Sequence, residues 1–400
     1  MQRIHIVGSG LAGLAAAVTA AESRAPVTLY EAHHTLGGRA RTAEGPYLTN
    51  EGPHALYRRG PHWAWLERRN LLGPIASVPP LQGARFLFRR DGVLRRTPPL
   101  ALLRLARRSA RTAPVGTDFH SWATAQAGEE GARAAAHYMG VALFHHDPGS
   151  LSAAFVQERL RRATALPPEA RYPVGGWAQI VERMATRAWN LGVRIETAER
   201  VGTGALQDLA RSGPVIVATH LAAARTLLDD PALTWDSGRA ALIDLAVRTR
   251  RGDPFVLSDL DTPGWIERFT AQDPTLAPRG EQLVQGQIPL APDTPRADAL
   301  HRAEELLDLG FPGWRDRTTW RRDSLASGRT GAVDMPGTTW RDRPAIDRGD
   351  GILLAGDQVA APGLLSEVSF NSGIEAATRA LALIGRTARP TGPGLDLKRS

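Results

Sequence analysis

Gly8, Gly10 and Gly13 lie between a short β-branched run, Ile4-His5-Ile6-Val7, and an alanine-rich stretch. Glycines at that spacing make a phosphate cradle. Gly8 permits a tight turn off a strand, Gly10 removes the side chain that would hold a pyrophosphate away from the backbone, and Gly13 lets the next helix pack close. The N–H groups of Leu11, Ala12 and Gly13, at the positive end of that helix, would then donate to phosphate oxygens. Glu31 closes a second run, Val27-Thr28-Leu29-Tyr30. There a carboxylate accepts hydrogen bonds from ribose hydroxyls and repels a 2′-phosphate. A second glycine turn, Gly37-Gly38-Arg39, follows. A glycine turn before a helix also arises from packing alone, but strand, helix, acid and second turn are separate requirements, and all are met. They predict a dinucleotide-binding Rossmann unit.

The run IHIVGSGLAGLAAAVTA…VTLYEAHHTLGGRARTA resembles the FAD signature of the flavin amine oxidase superfamily, which includes monoamine oxidases, protoporphyrinogen oxidases and phytoene desaturases. The resemblance implies FAD as cofactor, with Gly37, Gly38 and Arg39 beside its pyrophosphate. It also implies that YLTNEGPHALY, Tyr47 to Tyr57, passes under the isoalloxazine ring, with Gly52 and Pro53 against the cofactor. Desaturase-like members carry an Asp before the Gly-Pro pair, where this chain has Asn50 and Glu51. GVRIETAERV is similar to the strand that brings a backbone group, here Val201, to the adenine; GPVIVATHLAAARTLL is similar to the strand that returns to the sheet through Ala218-Thr219. GILLAGDQVAAPGLLSEVSFNSGIEAA resembles the closing motif, with Gly356 at the turn and Asp357 on a ribityl hydroxyl. A helix starting near Ser369 and Phe370 would aim N–H groups at the flavin N1 and O2 edge, where the reduced ring is negative.

Many amine oxidases of this superfamily hold a buried lysine near flavin N5. The only lysine here is Lys398, in the tail. Arginine cannot replace it as a tunable base, because it stays protonated. The resemblance therefore points nearest to the phytoene-desaturase-like and protoporphyrinogen-oxidase-like members. It implies an FAD-dependent oxidoreductase that removes hydride from a hydrophobic small molecule, such as an isoprenoid or another biosynthetic intermediate. A flavin amine oxidase and a non-catalytic FAD-binding protein are the alternatives. His54 is the candidate catalytic residue, as a proton carrier or a wall of the pocket; the plain alternative is a histidine bonded to backbone. Trp177, Trp265, Trp314 and Trp320 either line an apolar pocket or simply pack. Gly202-Thr203-Gly204 lacks the third glycine of a second nucleotide turn, so oxygen or a quinone is expected as electron acceptor rather than NAD(P).

Composition narrows the remaining classes. Four hundred residues at 42% hydrophobic content can bury a large core, and no run approaches the ~20 apolar residues of a membrane span. The chain opens directly on its first strand, which leads us to expect a cytoplasmic protein. Cysteine is absent, which excludes disulfides, thiolate metal sites and a thioether to flavin. The histidines are scattered, and no metal site is expected. The net charge of +8 is carried by arginines spread among acidic residues, so nucleic-acid binding is not expected.

These pieces must be positioned by an α/β fold: a Rossmann-type FAD-binding domain assembled from three segments, plus an inserted α+β substrate domain. The expected boundaries are 1–81, 169–235 and 331–388 for the cofactor, 82–168 and 236–330 for the substrate, and 389–400 for a Pro/Gly-rich tail. The first insertion reads as largely helical. Leu100 to Arg111 sets leucines among arginines, which suits either peripheral contact with an anionic membrane or a surface helix with its leucines in the core. The second insertion alternates through AALIDLAVRT, FVLSDL, GWIERFT and EQLVQGQI as antiparallel sheet, and ADALHRAEELLDLGF then reads as a helix.

Overall fold

A computed structural model describes residues 2–52, 55–107 and 111–385. Pro53, His54, Lys398 and the 389–400 tail lie outside the described residues. The architecture is mixed α/β, built on a parallel five-stranded sheet. In spatial order its strands are Ile352–Leu354, Val215–Val217, Ile4–Val7, Val27–Tyr30 and Arg194–Glu196. Ile4–Val7 is the middle strand and wholly buried, which is why it reads as continuous apolar sequence rather than as alternation. The chain first steps from it to Val27–Tyr30 on one side and later returns to Val215–Val217 on the other. The carboxyl end of Ile4–Val7 is therefore a topological switch point, where α/β sheets bind ligands.

The first helix, Leu11–Glu22, is buried from Ala12 to Ala21 because it is held between the sheet and the closing helix, Ser366–Leu383. Only small residues allow that approach. A Cβ on Gly13 would lie 1.9 Å from the Gly8 oxygen, and one on Gly373 would lie 2.2 Å from the Ala12 oxygen.

A seven-stranded sheet lies beside this unit. In spatial order it runs Thr318–Ala332, Ser237–Arg248, Glu281–Pro289, Gly264–Arg268, Val256–Asp259, Phe86–Arg90 and Val93–Arg95. The second insertion forms the expected antiparallel strands, and its helix spans Arg296–Gly310. The first insertion is not only helical. Its Phe86–Arg90 and Val93–Arg95 hairpin adds two strands, joining in parallel to Val256–Asp259. Asp91 and Gly92 both take positive φ at the turn, so the hairpin signal was the Asp-Gly pair between apolar residues. In the short helix Leu100–Ala106, Leu102 and Leu105 are buried in a core with the Phe119–Leu143 and Ala153–Ala163 helices. Most of its apolar face is thus spent inside the protein. Among the described residues, no helix is long and apolar enough to cross a membrane.

The two faces of the large sheet differ. One carries Ile243, Leu245, Val247, Val284 and Ile266 into an apolar core under the Arg296–Gly310 helix. On the other, Arg322, Asp244, Gln285 and Glu267 stand opposite one another on four adjacent strands. Residues in register share a face, so these four form a polar row across the sheet.

Candidate functional site

The glycine turns meet at the switch point. Gly8 has φ 105°, and a Cβ there would sit 2.7 Å from the Ala218 oxygen. Gly10 caps the first helix, and a Cβ there would meet nothing within 4 Å. Gly8 and Gly13 are therefore glycines for packing, whereas Gly10 faces open space at a helix N-terminus. Leu11 and Ala12 begin that helix. The second turn closes on the first: Gly37 N–H donates to the Ser9 oxygen at 3.0 Å, and a Cβ on Gly38 would lie 3.3 Å from the Gly10 Cα.

Glu31 is buried at the exit of its strand. Its Oε2 accepts from Ser9 N–H at 2.9 Å and from Ser9 Oγ at 2.6 Å, and its Oε1 accepts from His33 N–H at 2.9 Å. Ser9 therefore fixes the carboxylate, a partnership the sequence reading did not name. The chain after Arg194–Glu196 returns to the same corner, where Ala198 N–H donates to the His33 oxygen and Glu199 N–H to the Glu31 oxygen. Val201 follows, half-buried against the same core.

From the far end of the sequence, Ile352–Leu354 delivers Gly356 and Asp357. Arg39 Nη1 donates to Asp357 Oδ2 at 2.8 Å, which ties the second turn to the closing stretch. Burial alone would raise the Asp357 pKa; the adjoining Arg39 guanidinium outweighs it and holds the carboxyl below its ordinary value. Asp357 borders two small cavities, one with Val217, Thr219 and Gln358, the other with Arg159 and Arg343.

The closing helix corrects one expectation. It starts at Ser366, after Leu365 at φ 49°, and not near Ser369 and Phe370. Ser369 and Phe370 therefore lie past the first turn, where backbone N–H groups belong to the helix. Phe370 is fully buried, packing on His62 and Trp65 with ring centroids 5.9 and 6.2 Å away. The resemblance to the closing motif implied the later start, and the positive-φ residue that precedes the helix, Leu365, moves it forward to Ser366.

Gly52 lies two residues beyond Asn50, whose buried Oδ1 accepts from Thr42 Oγ1 at 2.7 Å and whose backbone oxygen accepts from Arg322. Glu51 instead pairs with Arg41 at the surface. His62, not singled out from sequence, is wholly buried with Nε2 2.8 Å from the Tyr57 oxygen. Burial lowers its pKa, against the attraction of Glu367 4.0 Å away.

Glu267 is the second residue missed. It lies on Gly264–Arg268 in the polar row, accepting from Trp265 Nε1 at 3.0 Å, Tyr172 OH at 3.1 Å and Gln272 Nε2 at 2.8 Å. Burial pushes its carboxyl up to about 7, against the pull of those three donors. Asp244, in the same row, is likewise raised by burial despite its pairing with Arg322 at 2.6 Å. The signal was present in GWIERFT: alternation puts Trp265 and Glu267 on one face, and a carboxylate beside an indole N–H invites a bond. The four tryptophans do not share one pocket. Trp265 joins Phe86 and Tyr138, Trp320 packs at a tilt against Tyr47, and Trp177 and Trp314 lie in separate cores. Among the described residues, no group of three His, Asp or Glu side chains could hold a metal ion.

Residues 6–72 match the NAD(P)-binding Rossmann-like domain family. Compared with curated protein sequences, the chain has no match. Its fold is shared with solved structures of low identity. An oxidoreductase from Methanosarcina mazei is 19% identical, with TM-score 0.71 over 94% of this chain and 100% of that one. Cyclohexylamine oxidase from Brevibacterium oxydans IH-35A is 17% identical, with TM-score 0.70 over 96% of this chain and 100% of that one. Reduced UDP-galactopyranose mutase is 14% identical, with TM-score 0.69 over 96% of each chain.

Proposed function

We propose that the protein is an FAD-dependent oxidoreductase that removes hydride from a largely hydrophobic small-molecule substrate. The observation that carries this reading is the convergence of three distant stretches at one switch point, closed by the Arg39–Asp357 pair. A Rossmann unit alone would suit NAD(P) equally; the second glycine turn and the acidic closing stretch favour the longer FAD molecule. The fold likeness to cyclohexylamine oxidase and to an oxidoreductase supports the reaction class.

The residues suit such a cofactor. Gly10 leaves room for a pyrophosphate, to which Leu11, Ala12 and Gly13 would present a helix N-terminus. Glu31 would take the ribose and Val201 the adenine. Gly37, Gly38 and Arg39 would flank the phosphates, Gly52 and Pro53 the ring, and Gly356 and Asp357 the ribityl chain. Bound FAD would supply hydride acceptance; the chain's task is to orient the substrate and exclude water. In this reading 1–81, 169–235 and 331–388 bind the cofactor, while 82–168 and 236–330 hold the substrate. His54 would carry a proton or wall the pocket, and a His54→Ala protein with full turnover would remove that role. Tyr138 and Trp265 offer apolar contact, with Glu267 as a polar point among them.

Within the superfamily the reading lies nearest to the phytoene-desaturase-like and protoporphyrinogen-oxidase-like members, because residues 1–397 contain no lysine. Oxygen or a quinone would reoxidise the cofactor. If the substrate comes from a bilayer, exposed Leu100 marks the contact. Anaerobic mixing of the flavin-loaded protein with polyenes, porphyrinogens and primary amines tests this. Bleaching by an apolar substrate is the expected result. Bleaching by amines alone would establish the amine oxidase alternative, and a flavin inert to all three classes would favour a non-catalytic protein.

A further inference from the structure

The arginines are spread along the chain, but their excess over acidic residues is not. Residues 81–111 hold nine arginines against one carboxylate, Asp91, so this stretch alone carries +8, the net charge of the whole chain. Within it Arg89 pairs with Asp259 and Asp261, and Arg90 with Asp91 and Glu130. Arg85, Arg95, Arg96, Arg104, Arg107 and Arg111 are exposed, and none of them forms an ion pair among the described residues.

The same stretch exposes three large apolar side chains: Leu81 is 84% exposed, Val93 54% and Leu100 71%. They come from three elements that adjoin. Arg96 donates to the Ala84 oxygen at 3.4 Å, which fastens the end of the hairpin to the short helix Pro80–Gly83. From the turn of the hairpin, Arg90 reaches Glu130 at 3.3 Å. The next residue, Gly131, packs against Ala101, for a Cβ on it would lie 2.5 Å from that of Ala101. The hairpin and the Leu100–Ala106 helix therefore meet one turn of the long Phe119–Leu143 helix. Val93–Arg95 ends its sheet, and among the described residues no strand pairs with its outer edge.

A cationic surface set with apolar side chains narrows the partner. A second copy would bring like charge against like. Nucleic-acid phosphates would engage the arginines but leave Leu81, Val93 and Leu100 in water. An anionic bilayer takes both, with lipid phosphates against the guanidinium groups and apolar side chains at the acyl boundary. We propose that residues 81–111 form a docking surface for an anionic phospholipid bilayer, with the six unpaired arginines on its headgroups and Leu81, Val93 and Leu100 in its interface. The surface stands on charge and exposure and does not rest on the FAD reading. Together with that reading, it brings the first substrate insertion to a source of apolar substrate.

The test is flotation of the flavin-loaded full chain with vesicles of phosphatidylcholine alone, or with about 30% phosphatidylglycerol, at low and high salt. Association with the mixed vesicles, absent on phosphatidylcholine and released by salt, is the expected result. Replacing two arginines together, Arg95→Gln and Arg96→Gln, should weaken association about 25-fold, about fivefold for each. Replacing two leucines together, Leu81→Ser and Leu100→Ser, should weaken it about tenfold or more through lost apolar burial. All four positions are exposed, so both proteins should keep the parent melting temperature. Equal association with both vesicle types, or with neither, overturns the proposal. So does a leucine-replaced protein that associates as the parent does. Tighter binding to duplex DNA than to mixed vesicles assigns the patch to nucleic acid and overturns it too. Vesicle association by a protein that takes up no FAD would sink the FAD reading and leave the surface standing.

Discussion

Arg39 and Asp357, 318 positions apart in sequence, are joined by a 2.8 Å hydrogen bond between Nη1 and Oδ2. The bond locks the second glycine turn onto the closing stretch, so either partner's loss should loosen the cofactor cleft. Asp357→Asn is expected to weaken FAD binding by about 10- to 100-fold, the worth of one charged hydrogen bond. Flavin fluorescence on dilution measures it. Because the Asp357 pKa is depressed, its contribution is present above the ordinary carboxyl range and is lost as pH falls through the lower folded value. FAD retention should accordingly be flat from about pH 5 to 8 and fail only in stronger acid.

Gly10 and Gly13 belong to the same turn but should respond oppositely to alanine. Gly13→Ala places a methyl 1.9 Å from a backbone oxygen and should lower the melting temperature or prevent folding. Gly10→Ala meets no protein atom within 4 Å and should fold normally while losing cofactor affinity. Thermal melts with and without added FAD separate the two. Equal melting temperatures with equal FAD affinity would refute the assignment of Gly10.

Glu267 should imprint a pH dependence on stability. Its folded pKa, about 7, is raised, so the folded state holds the proton more tightly than the unfolded chain does. Stability is then greatest below the unfolded carboxyl pKa and declines as pH rises toward about 7, by up to about 3 kcal/mol. Urea titrations from pH 4 to 8 should show that slope in the parent protein and its loss in Glu267→Gln.

Phe370 is assigned to packing rather than to the flavin edge. Truncation to alanine in a fully buried site costs about 3–5 kcal/mol. Phe370→Ala should therefore melt earlier with or without FAD, whereas a variant weakened only in FAD affinity would restore the residue to the cofactor site.

Local patterns revealed much of this architecture. Gly8 to Gly13 and the alternation of Ser237 to Pro289 carry their structure within a few residues, because turn chemistry and side-chain period are local properties. The polar row was hidden because Asp244, Gln285 and Glu267 become neighbours only through strand register, which no one segment encodes. Arg159 and Arg343 were hidden likewise among many surface arginines, distinguished only by tertiary burial. The start of the closing helix depended on Leu365 adopting positive φ, a conformation its residue type disfavours and surrounding structure must impose.

The central claim is that the turns at Gly10 and Gly37, with Asp357, together hold FAD. Its most direct test is the nucleotide released when purified protein is denatured and the supernatant analysed by visible spectrum and chromatography. Stoichiometric FAD, reduced to a trace in Gly10→Ala, is the predicted result. Bound NAD(P), or a protein that neither carries FAD nor takes it up, would contradict the account.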